Sequence, residues 1–391
     1  MFETLCVLGR QSGLSLVELE SLFGDKNIKK IGNEAALLNI NHNLVPFSRL
    51  GGTIKLCKVL TEINTTSWAK LTEYLVEHVP KHVCCIAPGK VKFGISVYGL
   101  NANPKAINVT GLKIKKASKS FNRSMRVIPN KSSELNAAQV LNNKMTDELG
   151  MELILVKSGS KTILAQTINV QDIDAYAARD QNRPKRDAKV GMLPPKLAQI
   201  IINLSQPKNG ESILDPFCGT GVILQEALLM GFNVYGTDYQ QLMIDYSNNN
   251  LEWLESKYKN KLEGLSYLLE PGDATSFEWQ DFDKIACETY LGQPFSAEPK
   301  TDKLNQVIRD VDIIHKKFFK NLARQTKPGF KMCVAVPAWH TKSGIKHLPI
   351  LDQLTDMGYT RMSFVHAKQK EMIYHRDGQF VGRELVVLIR K

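Results

Sequence analysis

Apolar and polar positions are spaced differently in the two halves of the chain. In the first half the pattern comes in short, mixed pieces. Thr4–Leu8 reads as a strand. Ser15-Leu16-Val17-Glu18 has the spacing of a helix-capping box, followed by an apolar face of Leu16, Leu19, Leu22 and Phe23. Lys92–Tyr98 alternates as a half-buried strand does. Ser133–Leu149 predicts an amphipathic helix ending at Gly150, with Leu135, Ala138, Val140, Leu141 and Met145 inside. Met151–Lys157 and Lys161–Val170 predict a hairpin around Ser158-Gly159-Ser160. From Ser212 onward, strand and helix signals alternate. Strands are predicted at Ser212–Phe217, Asn233–Thr237, Ser266–Leu269, Lys284–Glu288 and Lys331–Pro337. Helices are predicted at Gly221–Met230, Gln241–Tyr258, Asp302–Thr326 and Ile345–Met357. The long one carries Leu304, Val307, Ile308, Val311 and Ile314 on its inner face. Such alternation predicts an α/β fold, a parallel sheet covered by helices on both faces. The last two strands, Met362–Val365 and Glu384–Ile389, are joined through a turn at Asp377-Gly378 and predict an antiparallel edge.

Between the halves lies a polar, basic stretch beginning Arg179-Asp180-Gln181-Asn182-Arg183-Pro184. It predicts an N-terminal α/β region at 1–178, a linker at 179–192 and an α/β domain at 193–391. Pro194-Pro195 opens a helix over Lys196–Leu204. A chain of 391 residues with 43% hydrophobic content has ample material for two cores. No apolar run is long enough for a membrane span, and the start Met1-Phe2-Glu3-Thr4-Leu5 does not read as a signal peptide. The expectation is a soluble cytoplasmic protein with no membrane partner. Seven cysteines, an odd number with no C-x-x-C pair, predict buried free thiols and neither a disulfide framework nor a zinc site.

Charge adds a second signal. Lys+Arg number 51 and Asp+Glu 39, a net +12. Between Glu77 and Glu134 there is no acidic residue, yet eleven basic ones. Apolar alternation runs through the same segment, so these charges lie on folded structure and predict a phosphate-binding face. Lys113, Lys115, Lys116, Lys119, Arg123 and Arg126 are the candidate RNA contacts. Phe121 and Tyr98 could stack on bases, but the core is favoured for both.

The chemistry concentrates in Asp215-Pro216-Phe217-Cys218-Gly219-Thr220-Gly221, at a strand-to-helix turn. Glycines there allow close backbone approach to a ligand, and the helix start offers free N–H groups. The loop lacks the Gly-Lys-Ser/Thr of a phosphate loop and the full G-x-G-x-x-G of dinucleotide binders. Asp238 ends the next strand, where a carboxylate can accept from both ribose hydroxyls of an adenosine. Asp273, in Pro271-Gly272-Asp273-Ala274, follows the third strand within reach of an adenine amino group.

Asp215–Gly221, Asp238 and Asp273-Ala274 resemble motifs I, II and III of class I S-adenosylmethionine-dependent methyltransferases. Asp-Pro-Phe-Cys-Gly-Thr-Gly and the preceding Gly191-Met192-Leu193-Pro194-Pro195-Lys196-Leu197-Ala198 resemble the THUMP-domain enzymes that methylate guanosine N2 in tRNA. Leu8-Gly9-Arg10 with Leu16-Val17-Glu18-Leu19-Glu20 is similar to their N-terminal region. The resemblance implies a Rossmann-like methyltransferase domain and an N-terminal THUMP-like module that holds tRNA. S-adenosylmethionine would be the cofactor, bound through Asp215, Phe217, Gly219, Gly221, Asp238, Asp273 and Ala274. It leaves open whether a small activating protein partner is required.

One departure stands out. Family members end strand four in Asp-Pro-Pro-Tyr-Gly. A side-chain oxygen and a proline carbonyl there accept the two N–H bonds of an amine, and the aromatic ring stacks on the base. This chain reads Cys287-Glu288-Thr289-Tyr290-Leu291-Gly292. Three readings remain open. Glu288 and Tyr290 act as catalytic acceptor and base stacker; the target is a different atom or substrate; or the domain binds tRNA without methylating. Cys287 is expected to be a buried strand cysteine. His340, after Pro337-Ala338-Trp339, is expected in an exposed loop. The arginines of His375–Arg383 either meet RNA or cover the sheet edge. A nicotinamide oxidoreductase is disfavoured by the loop sequence.

Overall fold

A computed structural model describes residues 2–187, 192–295 and 297–391. The chain divides into two compact units, Met1–Ser12 with Lys26–Ser48 and Thr53–Ala175, and Gly13–Asp25 with Arg49–Gly52 and Tyr176–Lys391.

The first unit is built on β1 (Thr4–Leu8), β2 (Ile28–Ile31), β3 (Ala35–Leu38), β4 (Thr53–Ile63), β5 (Val91–Tyr98), β6 (Met125–Val127), β7 (Gly150–Ser158) and β8 (Lys161–Val170). They form one sheet in the order β2-β3-β1-β4-β8-β7-β5-β6, with β5 parallel to β6 and β7 and the other pairs antiparallel. β7 and β8 are the predicted hairpin. Its core holds a buried ion pair, Lys55 with Glu152. The Lys55 ammonium also donates to Leu135 O (2.7 Å), and the Glu152 carboxylate accepts from the hydroxyls of Ser96 (2.5 Å) and Thr167 (2.6 Å). Both charges are thus hydrogen-bonded as well as paired, which burial demands. The helix expected over Ser133–Leu149 is only Ala137–Asn142. Leu135, Val140 and Met145 are buried as expected, but Lys144 adopts a positive φ (53°), which ends the helical path.

The second unit contains β9 (Ser212–Asp215), β10 (Asn233–Asp238), β11 (Tyr267–Pro271), β12 (Lys284–Glu288), β13 (Lys331–Thr341), β14 (Gly344–Lys346), β15 (Tyr359–Arg361), β16 (Ile373–Tyr374) and β17 (Val381–Arg390). The sheet order is β11-β10-β9-β12-β13-β17-β15, with β17 antiparallel to both its neighbours. The predicted antiparallel edge is therefore present, with the last strand inserted one place in from it. The helix predicted over Ile345–Met357 is instead β14 followed by a short 3-10 turn, Pro349–Gln353. The strand expected at Met362–Val365 lies earlier, at Tyr359–Arg361.

Two sequence boundaries shift. The helix α1 spans Ser12–Phe23, so Ser15 lies inside it and caps nothing. Its hydroxyl donates to Gly52 O (2.7 Å), and the fully buried Glu18 carboxylate accepts from Gly51 N (2.9 Å), Gly52 N (2.8 Å) and Asn203 Nδ2 (2.8 Å). What resembles a capping box is a clamp, and it draws α1 into the second unit. Nor does residue 179 begin a free linker. A helix runs over Ile173–Gln181, and the Arg179 guanidinium forks onto buried Glu226 (2.6 and 3.2 Å). The remainder of that stretch, 188–191, lies outside the described residues, as does Gly191 of the segment preceding the glycine loop.

Removing the Glu18 carboxylate takes one acceptor from each of three buried donors, Gly51 N, Gly52 N and Asn203 Nδ2. Glu18→Ala is expected to destabilise the protein by about 3 kcal/mol. Urea denaturation followed by tryptophan fluorescence reads this as a lowered midpoint; an unchanged midpoint contradicts the clamp.

Candidate functional site

The site forms at the carboxyl ends of β9, β10 and β12, where parallel strands leave room for a ligand. β9 ends in Asp215, which is buried and accepts the Phe217 N–H (3.1 Å). Burial pushes its carboxyl well above the usual range, and the nearby carboxylates of Asp238 and Glu288 push it further. The chain then turns through Gly219 (φ 52°) and Gly221 (φ 79°) into the helix Val222–Leu229. A Cβ on Gly219 would meet nothing nearer than 3.9 Å, so the loop presents bare backbone to open space. A Cβ on Gly221 would strike the Ser247 hydroxyl at 2.9 Å. Ser247 uses that hydroxyl to hold Gly219 O (2.8 Å), and Asn250 holds Thr220 O (2.8 Å).

Asp238 ends β10 and accepts from Gly219 N (3.0 Å) and Gln240 N (2.9 Å). One carboxylate thereby joins two loops, and burial raises its pKa. Asp273 is exposed; its Oδ1 accepts Thr275 N (2.9 Å), while Ala274 is buried behind it. The structure thus gathers Asp215, Gly219, Gly221 and Asp238 around one loop. Asp273 and Ala274 stand on the turn after β11, whose Gly272 N–H donates to Asp238 O (2.9 Å).

Glu288 ends β12. Its Oε1 accepts from Arg383 Nε of β17, and Oε2 has no partner among the described residues. Burial raises the Glu288 pKa, and the Arg383 guanidinium opposes that rise. Of the two alternatives for the hairpin arginines, Arg383 takes neither: it is buried against the candidate catalytic acid. Thr289 is buried too. Its N–H donates to Ala335 O (3.0 Å) and its hydroxyl meets His315 Nε2 at 2.7 Å. Tyr290 is 48% exposed and so presents its ring outward. Gly292 closes the turn with φ 87°.

The helix Thr301–Gln325 runs behind all of this; it is labelled α9, the ninth α-helix among the described residues. Val311 packs so closely on Gly292 that a Cβ there would lie 2.9 Å from its methyl. Phe318 meets the Phe217 ring edge-on (4.9 Å). Asn321 Nδ2 donates to Ala274 O (3.2 Å) and Phe277 O (2.8 Å), and Gln325 accepts Trp279 N (2.9 Å). The sequence reading missed His315. A histidine between Val311 and Phe318 in an apolar stripe was its only signal. Ile314, expected inside, is half-buried, and His315 occupies the core position instead.

Other expectations are corrected. His340 lies on β13, half-buried, its ring stacked on His375 at 3.7 Å and seated where a Cβ on Gly382 of the paired strand would lie 2.9 Å from Nε2. Cys287 is buried and burial raises its thiol pKa far above neutral, as a strand cysteine without a nucleophilic role requires. Cys84 and Cys85, by contrast with the buried cysteines expected, are exposed. In the first unit, Lys113, Lys116 and Lys119 are exposed on or just after the helix Pro104–Ser118, Arg126 is exposed on β6, and Lys115 is half-buried. Arg123 faces inward and donates to Ile86 O (3.1 Å) and Ala87 O (2.7 Å), so it serves the fold. Phe121 is exposed and Tyr98 buried.

Residues 183–336 match the RMKL-like methyltransferase domain family (UPF0020), and residues 112–249 match a DNA methylase family. A segment is 35% identical over 116 residues to the tRNA (guanine(10)-N2)-dimethyltransferase of Pyrococcus abyssi, covering 29% of this chain and 32% of that protein. The chain spans between 18% and 35% of the length of such curated relatives. The structure is similar to TrmN from Thermus thermophilus (TM-score 0.53, 14% identity, 100% of both chains). It is also similar to SMU.472, solved in complex with SAH (TM-score 0.53, 12% identity, 100% of this chain and 97% of that one). The fold is that of a class I methyltransferase preceded by an additional N-terminal domain.

Gly292→Ala places a side chain at positive φ and against Val311. The backbone term alone costs roughly 1–2 kcal/mol. A lowered melting temperature in a calorimetric scan is expected; an unchanged one contradicts the packing.

Proposed function

We propose that this chain is an S-adenosylmethionine-dependent methyltransferase acting on guanosine N2 in tRNA. The observation that carries the reading is Glu288. It stands at the end of β12, within electrostatic reach of Asp215, one carboxylate oxygen unoccupied and Tyr290 exposed two residues on. The tRNA dimethyltransferase relatives and the methyltransferase-domain match support the same chemistry.

The residues fit the cofactor. The open backbone at Gly219 suits its methionine part, Asp238 its ribose hydroxyls and the exposed Asp273 its adenine amine. Bound there, it supplies an activated methyl group on a positively charged sulfur with a neutral leaving group. Glu288 Oε2 accepts one N–H of the target amine and takes its proton as the new C–N bond forms. Tyr290 stacks on the base, which leaves its helix to reach the site. Asp215 contributes by fixing the Phe217 turn. RNA is held by the first unit, THUMP-like in this reading, through Lys113, Lys116, Lys119 and Arg126.

The direct test incubates the protein with unmodified tRNA and methyl-labelled S-adenosylmethionine, then identifies the labelled nucleoside. N2-methylguanosine is expected; another nucleoside overturns the target, and no label with both ligands bound overturns the activity.

The pH profile tests Glu288. Arg383 opposes the burial that raises its pKa, so Arg383→Met raises that pKa further. Transfer requires the carboxylate, so the acid limb of the kcat profile is expected to move to higher pH in the variant. An acid limb at the wild-type position removes Glu288 from the mechanism. For the first unit, tRNA affinity is expected to fall with salt at a log–log slope of roughly −3 to −5. Lys113→Ala with Lys116→Ala is expected to flatten the slope by about 2; an unaltered slope places the RNA elsewhere.

A further inference from the structure

The family turn gets its stiffness from two prolines, and this chain has neither at the corresponding positions. Proline fixes φ through its ring. Thr289 has no ring, yet two of its polar atoms make three contacts. Its N–H is spent on Ala335 O (3.0 Å), its Oγ1 lies 3.0 Å from the same carbonyl, and Oγ1 and His315 Nε2 are 2.7 Å apart. Its own carbonyl oxygen receives no hydrogen bond among the described residues. The geometry assigns the direction of the side-chain bond. His315 Nδ1 is 2.8 Å from Val311 O, which can only accept, so Nδ1 carries a proton. Burial lowers the His315 pKa to about 4, so the ring is neutral and Nε2 is the acceptor. The single Thr289 hydroxyl proton therefore goes to His315.

We infer that His315 is a positioning residue. Through the Thr289 hydroxyl it holds the Thr289 carbonyl as the second acceptor for the target amine, doing with a side-chain hydrogen bond what a proline ring does elsewhere. The inference rests on the proposed amine methylation. Glu288 and the Thr289 carbonyl then bracket the nitrogen, one oxygen for each N–H, and its lone pair is left for the methyl carbon. Both acceptors are tied back to separate elements, Glu288 to Arg383 on β17 and Thr289 to His315 on α9. Neither anchor is on the turn itself.

The experiment is steady-state methylation of tRNA by the full chain, with Thr289→Val, Thr289→Ser, His315→Phe and the Val/Phe double variant. Thr289→Val keeps the shape and removes the hydroxyl. A kcat at least ten-fold below wild type is expected, with KM for tRNA and SAH affinity by calorimetry both within two-fold. Thr289→Ser, which keeps the hydroxyl, is expected within three-fold of wild type. The double variant is expected to be no slower than the slower single variant, because both changes break one bond. Thr289→Val at wild-type kcat overturns the inference alone, as does a multiplicative loss in the double variant. Should Thr289→Val fail to bind SAH, the comparison of Thr289→Ser with His315→Phe decides: equal rates overturn the inference. A wild-type protein that binds tRNA and SAH but transfers no methyl group overturns the underlying reading, and the inference with it.

Discussion

A single stripe along α9 sets the alignment of the site. Val311, His315, Phe318, Asn321 and Gln325 recur every three or four residues and so lie on one helical face. Each touches a different piece of the ligand-facing edge. Val311 meets Gly292, His315 meets Thr289, Phe318 meets Phe217, Asn321 holds the Ala274 and Phe277 carbonyls, and Gln325 holds Trp279. Three loops that leave three different strands are thereby indexed to one rigid rod. Trp279 extends the chain of contacts by donating from its indole to Thr237 Oγ1 (3.0 Å), one residue before Asp238. Catalytic geometry tolerates errors of about half an ångström, and a common backing helix limits the error between loops.

The second unit was largely legible from its sequence because its central strands are apolar runs that alternate with helices. β12 has the predicted bounds, and β9, β10, β13 and α9 fall within a few residues of theirs. The glycine loop and its acids were legible because glycine at positive φ and a carboxylate at a strand end have few other uses. What escaped were contacts between residues far apart in sequence. Ser15 and Glu18 carry the local spacing of a cap, yet they bind Gly51, Gly52 and Asn203. Arg383 lies 95 positions from Glu288, and no periodicity links the two. His315 went unread because its partner Thr289 sits beyond the helix.

The first unit was harder to read for a different reason. Its two longer helices, Trp68–Val83 and Pro104–Ser118, run through or beside the basic stretch, where lysines interrupt the apolar spacing that marks a helix. Leu135, Val140 and Met145 gave the right core residues and the wrong element: three buried side chains five residues apart are supplied by a short helix and a bend. The same unit separates two kinds of basic residue that composition lumps together. Lys55 and Arg123 are consumed by the interior, one by Glu152 and one by backbone carbonyls, while Lys113, Lys116 and Lys119 stay on the surface.

The crowding of carboxylates at the second unit's site bears on how a reaction there would end. Asp238 and Glu288 both lie within electrostatic reach of Asp215, and Arg383 is spent on Glu288. A ligand that arrives carrying positive charge favours the ionised form of these carboxyls, against the burial that raises their pKa values. Methyl donation strips that charge from sulfur while leaving the rest of the ligand unchanged. In the proposed reaction the spent molecule is left in a field that suited its precursor, and the electrostatic attraction that filled the cleft weakens at the moment the cleft has to be emptied.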